Sequence, residues 1–303
     1  YWSGGGPVRN ATIVAWQMVD GERTFELGRA TTDANGRWEL ATEGYEHIEF
    51  DVVGGSYVEA SGGEVTLDGN TTLRGIVLDV PIGGSRSGIT ISPLTELAVT
   101  LGHARSAAGK EDTYGASVQK AVERLTNHFG FDPLTTPVAS PAAPASSPTA
   151  EVKYGLVLAG LSQLARSVAE QQGATTQSIN TVVWTRALGR DAGSAEALFD
   201  GMGAAPLFVG ASCPPPPGCS VEGPGCYADC RAQSNTLKAR IGAQILSFLR
   251  TSQNGTTLTR NDVESWLEEM RTRVDADLFG SDPAEDWDQV GPTITWVTPA
   301  ADA

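Results

Sequence analysis

The sequence predicts an α+β multidomain chain: a small antiparallel β-sandwich, then an α-helical domain with a disulfide-stapled loop, then an extended C-terminal segment. Three observations predict it. Residues 7–80 carry short alternating apolar runs separated by Gly, Asn and Asp turns, the period-two signature of strands. From Ile89 onward, apolar residues recur at three- and four-residue intervals, as on one face of a helix. All four cysteines fall in one Pro- and Gly-rich run, Cys213, Cys219, Cys226 and Cys230. At 303 residues the chain is long enough for two ordinary cores. The expected divisions are a sandwich over 1–82, a helical domain over 83–285, and a linker opening a further β domain over 286–303.

Strands are expected at Ala11 to Val19, Arg37 to Leu40, His47 to Val53, Val65 to Leu67 and Leu73 to Val80, giving about seven short strands. Asp33-Ala34-Asn35-Gly36 has the chemistry of a tight reversal, because Asn and Gly tolerate positive φ. Strands starting at Thr32 and Trp38 would flank it.

Ser92 and Pro93 then mark a helix start, a capping hydroxyl followed by a residue whose missing N–H is no loss in the first turn. Leu94, Leu97, Ala98 and Leu101 line one face, and Val118, Val122, Leu125 and Phe129 line that of the next helix. Residues 132–150 are rich in Pro, Ala and Ser and read as an extended crossing loop, too poor in large apolar groups to pack alone. Tyr154 to Ala165 is the most apolar helix, and its small Ala159 and Gly160 suit a central position where helices approach closely. Further helices are expected at Thr176 to Leu188, Asn235 to Arg250 and Asn261 to Asp277, the last opened by the capping-box pair Thr259 and Asp262.

The cysteine loop, 211–232, holds little that a core could use, so two disulfides are the expected source of its order. Spacings of five, six and three intervening residues fit no common zinc knuckle, and no His lies nearby. The pairing stays open among three possibilities. Disulfides place the chain in an oxidising compartment, outside the cytosol. With 36 acidic against 21 basic residues, the net charge of −15 disfavours nucleic acid and anionic membrane surfaces as partners. No run of about 18 apolar residues is present to cross a bilayer.

The β region resembles the carboxypeptidase regulatory-like domains, transthyretin-like sandwiches of bacterial exported proteins. The matching residues are Gly6-Pro7-Val8-Arg9-Asn10-Ala11-Thr12-Ile13, the run from Gly28 to Leu40, and Gly54-Gly55-Ser56-Tyr57 followed by Glu59-Ala60-Ser61-Gly62. Ile91 to Ala98 and Leu158 to Ala165 resemble the helical extension that follows such domains in multidomain surface proteins. Pro292-Thr293-Ile294-Thr295 and the residues after it resemble the first strand of an immunoglobulin-like repeat. The resemblance implies a module without a catalytic set, and it implies a buried Trp38.

The side chains themselves agree with that reading. His47, His103 and His128 are scattered, with no His-Glu-x-x-His motif and no Gly-x-Ser-x-Gly elbow. Each reads as a solvated or singly hydrogen-bonded ring, and Glu268 with Glu269 reads as solubilising charge. The run from Asp275 to Asp286 carries some positions of a calcium loop, but Phe279 stands where an oxygen donor is needed. Ca2+ held near Asp282, Asp286 and Asp288 is the one cofactor to consider. Seven tryptophans are many for this length, and Trp2 and Trp287, in Gly-rich or acidic surroundings, are the candidates for exposed binding indoles.

The expected function is therefore a non-catalytic extracellular structural or adhesive module of a bacterial surface protein. Its partners would be other subunits or domains of that protein, and a filament built by β-strand addition is the sharper form. The alternatives are an accessory module of a secreted hydrolase and a glycan-binding module.

Overall fold

A computed structural model describes residues 2–3, 5–42, 47–69, 72–80, 85–171, 173–192 and 234–273. The chain is α+β. Its β elements are β1 (Trp2–Ser3), β2 (Gly6–Pro7), β3 (Thr12–Val19), β4 (Glu22–Thr31), β5 (His47–Val53), β6 (Ser56–Val58), β7 (Glu64–Thr66) and β8 (Thr72–Leu78). The helices are α1 (Pro93–Ala107), α2 (Tyr114–Phe129), α3 (Ala150–Gln171), α4 (Thr181–Ala192), α5 (Ser234–Phe248) and α6 (Arg260–Thr272). One antiparallel sheet of four strands, in the order β4-β3-β5-β8, is accompanied by the hairpins β1-β2 and β6-β7.

Strand β4 is the element that alternation does not reveal. Its sequence is Glu-Arg-Thr-Phe-Glu-Leu-Gly-Arg-Ala-Thr, charged on both faces and largely exposed, because it lies at the sheet edge. The hairpin that produces it turns at Asp20 and Gly21, both at positive φ (51° and 85°), as a tight reversal between twisted strands requires. The reversal at Asp33 to Gly36 does form. Gly36 N–H donates to the Asp33 carbonyl, and the Asp33 carboxylate accepts from the N–H groups of Asn35 and Arg37. Its flanks are not strands, however: β4 ends at Thr31, and residues 37–42 run irregularly across the sheet. Trp38 is accordingly half-buried, not sealed in a strand.

The two faces of the sheet differ in chemistry. One carries Ile13, Ala15, Ile48, Phe50, Val52 and Leu73 against Tyr57, Val65 and Leu67 of the β6-β7 region, with Ile91 and Val182 added from the helical part. The other faces α1 and α2 and mixes Met18 and Ile76 with charged groups.

Helix α1 starts where Ser92 and Pro93 predict. The Ser92 hydroxyl accepts from the N–H groups of Leu94 and Thr95, and the Ser92 N–H donates to Thr95 Oγ1. Helix α4 starts five residues later than the pattern implies, because the Asn180 side chain caps it by accepting from the N–H groups of Val182 and Val183. Thr259 and Asp262 form their capping pair at 2.7 Å. Helix α3 is central: a Cβ on Gly160 would lie 2.8 Å from the Ile245 side chain of α5, so glycine there sets the helix spacing.

The Pro/Ala/Ser-rich loop does pack, and it does so through its backbone. Ala139 N–H donates to the Glu151 carbonyl, while the Pro141 and Ala145 carbonyls accept from Gly255 and Thr257. Gly155 of α3 makes room for it, since a Cβ there would sit 2.1 Å from the Ala139 carbonyl oxygen. Gly155→Ala should therefore push the loop off α3 and cost about 1–3 kcal/mol despite the better helix propensity of alanine. Chemical denaturation checks this, and a variant as stable as the parent would show that the loop is not docked.

Candidate functional site

Three places in the described residues concentrate chemistry: a charged cluster between the sheet and α1/α2, the two edges of the sheet, and a cavity on the opposite sheet face.

The cluster centres on Glu49. Because side chains alternate along a strand and Trp16 pairs with Glu49 while Asp51 pairs with Arg74, these four lie on the face that meets the helices. The Glu49 side chain is fully buried. Its Oε1 accepts from Arg23 Nε at 3.1 Å and Nη2 at 2.5 Å. Its Oε2 lies 2.7 Å from His103 Nε2 and accepts from the Tyr114 hydroxyl at 3.1 Å. Arg23 also bonds Asp51, which accepts from Trp16 Nε1 at 3.0 Å.

Burial alone would raise the pKa of Glu49. The His103 hydrogen bond and the charges of His103, Arg23 and Arg74 outweigh it and hold the carboxyl down at about 2. As an ionised carboxylate it can only accept, so the His103 proton on this side sits on Nε2. Burial, then the charge and hydrogen bond of Glu49, push the Tyr114 hydroxyl well above its ordinary value. A sealed permanent anion with every donor engaged serves as a counter-ion, not as a proton carrier near neutrality.

The sheet edges are treated differently. At β8 the Arg74 N–H donates to Glu96 Oε2 of α1 at 2.6 Å, and Thr95 Oγ1 donates to the Arg74 carbonyl at 2.8 Å. Arg74 Nη2 completes the contact with Glu96 Oε1 at 2.6 Å. Side chains of α1 thus occupy the outward backbone groups of this edge at Arg74. Against β4, no strand pairs with the outer side and no helix packs along it, among the described residues. Thr32 N–H donates inward to the Ala11 carbonyl, so alternation turns the backbone groups of Arg29 and Thr31 outward. Toward the hairpin end, two register shifts opposite Trp16 bulge the strand and leave Phe25 67 % exposed.

The cavity, of about 980 Å³, lies over the ends of β5 and β8. Ile48, Phe50 and Val77 are its floor; Trp38, Leu40 and Ile89 close it from the irregular segments, and Arg37 and Arg86 stand among its polar lining. Trp38 leans on Phe50 with ring centroids 5.1 Å apart.

The site residues expected from sequence lie mostly elsewhere. Cys213, Cys219, Cys226, Cys230, Asp282, Asp286, Asp288 and Trp287 are outside the described residues. Trp2 sits in β1 paired with Pro7. His103 is more than a singly bonded ring, since it bonds both Glu49 and Tyr114. His47 also approaches Tyr114, at 6.4 Å between ring centroids. No sequence spacing signals this convergence, which joins a strand to two helices across more than fifty residues. Sequence shows Trp38 as an aromatic residue but does not show it as part of a cavity wall. No helix of the described residues is long and apolar enough to cross a membrane. No family model, curated protein or solved structure matches the chain.

Proposed function

We propose that this chain is a non-catalytic extracellular structural or adhesive module of a bacterial surface protein, and that it joins its neighbours through β4. The observation that carries the proposal is the asymmetry of the sheet: β8 is closed by α1, whereas β4 keeps outward backbone groups at Arg29 and Thr31 and an exposed Phe25. An unpaired strand edge is a template for another strand. The bulges and charges along Glu22 to Glu26 blunt most of that edge, so strand addition is confined to the regular stretch Gly28 to Thr31.

The transthyretin-like reading of residues 1–82 belongs to the same proposal and is supported by the β6-β7 region covering one face of the four-stranded sheet. Disulfides within the cysteine run, the extracellular location they imply, and Ca2+ in the acidic segment after α6 are parts of the proposal that rest on sequence.

The test is the assembly state of the full chain, by electron microscopy and light scattering under non-reducing conditions with and without calcium. Ordered oligomers or fibres with one repeat per chain are expected. Arg29→Pro should weaken them at least about tenfold while leaving the thermal unfolding midpoint within a few degrees, because proline there removes an outward N–H and an exposed ion pair with Glu26, both cheap to lose at the surface. A wild-type monomer at every concentration reached, or assembly indifferent to Arg29→Pro, would sink joining by strand addition.

A further inference from the structure

We infer that the cavity lined by Trp38, Phe50 and Ile89 is the receptor for the β3-β4 hairpin tip of a second copy of this chain. This rests on the self-association proposed above and adds a side-chain contact beside the strand edge.

Among the described residues, no part of the molecule buries the apolar side chains that make the hairpin tip a knob. Val19 and Phe25 are 45 % and 67 % exposed, and with Val58 they are the large apolar side chains most open to solvent among the described residues. Asp20 and Gly21 fix the turn between their strands, so the knob is presented on a rigid hairpin. Asp20 and Glu22 flank it, both exposed; Glu26 is engaged by Arg29.

The cavity is the complementary object. Its floor of Ile48, Phe50 and Val77 and the facing Trp38, Leu40 and Ile89 are apolar, within a lining that is otherwise largely polar; its volume of about 980 Å³ admits more than one large side chain, and two guanidinium groups, Arg37 and Arg86, stand in that lining beside one carboxylate, Glu39. In a chain with a net charge of −15, these two guanidinium groups make a locally basic rim. The cavity suits an apolar group flanked by carboxylates, and the hairpin tip presents that combination. Extensive aliphatic walls from Ile48, Leu40, Val77 and Ile89 fit a buried aromatic side chain better than the polar ring of a sugar.

Knob and cavity are different patches of one surface, so the contact is heterologous: each copy offers a hairpin and a cavity. This gives a specific test by complementation. Phe25→Ser removes the knob and spares the cavity. Arg37→Glu with Arg86→Glu reverses the rim and spares the knob. All three positions are exposed, so both variants should fold, which circular dichroism and thermal unfolding check.

By sedimentation, each variant alone should associate at least about tenfold more weakly than the parent, while an equimolar mixture should form a one-to-one complex through the one intact knob-and-cavity contact. A mixture that fails to form the complex, or parent-like association of either variant alone, overturns the inference. Association lost in Arg29→Pro but untouched in Phe25→Ser would overturn it while leaving strand addition standing. A wild-type chain that never associates would remove both.

Discussion

Glu49→Gln should destabilise the protein by about 3 kcal/mol and flatten its stability between pH 4.5 and pH 2. The argument begins with geometry. The carboxylate has no solvent access, and its partners Arg23, His103 and Tyr114 come from three different elements. Glutamine keeps one acceptor but brings an amide N–H2 against donors that then lack an anion. Arg23 and His103 are each about a third exposed, so water relieves part of that loss and the effect falls at the low end for a broken buried pair.

The pH dependence has a definite sign. The folded pKa of about 2 lies below the ordinary 4.5, so on acidification the unfolded chain takes up the proton first. The contribution is complete above pH 4.5 and is lost as pH falls toward 2; the difference corresponds to roughly 3 kcal/mol. Urea unfolding at several pH values reads both effects. A change within about 0.5 kcal/mol at neutral pH would show that the cluster is incidental to stability.

Glu59→Ala should cost about 3 kcal/mol or more, by leaving three donors without their acceptor in a dry site. Glu59 is 3 % exposed. Its Oε1 accepts from the Tyr57 hydroxyl and the Thr181 N–H, both at 2.7 Å, and its Oε2 accepts from Thr181 Oγ1 at 2.6 Å. The last two come from the first residue of α4, where orphan N–H groups and the helix dipole favour an oxygen anion. One side chain thereby fastens the end of β6 to a helix more than a hundred residues away. Combining it with Thr181→Val should give a loss well short of the sum of the two single losses. Strict additivity, or a loss below about 1 kcal/mol for Glu59→Ala, would refute the bond network.

Both residues show how far the sequence could be read. Glu59 lies in the segment carrying the transthyretin-like resemblance, yet nothing near it names Thr181 as its partner. Glu49 alternates correctly in a strand that periodicity does find, but alternation assigns a face, not what covers that face. Strand β4 escaped because an edge strand need not alternate: neither of its faces is fully buried, so hydrophobic pattern carries no signal there. The hairpin chemistry of the reversal before Trp38 predicts a strand there. The reversal is local and formed as expected, but whether its flanks pair depends on what lies beside them, and β5 and β8 complete the sheet instead.

The sequence by itself determined the α+β class, the caps at Ser92 and Thr259 and the helical stripes, because each depends on residues within a few positions of one another. The tertiary structure alone decided which sheet edge is closed and which is open, where the buried carboxylates find their donors, and where a basic-rimmed hollow lies in an acidic chain. Those follow from contacts between residues tens to a hundred positions apart, whose energies exist only after the chain has closed its loops and removed water from between them.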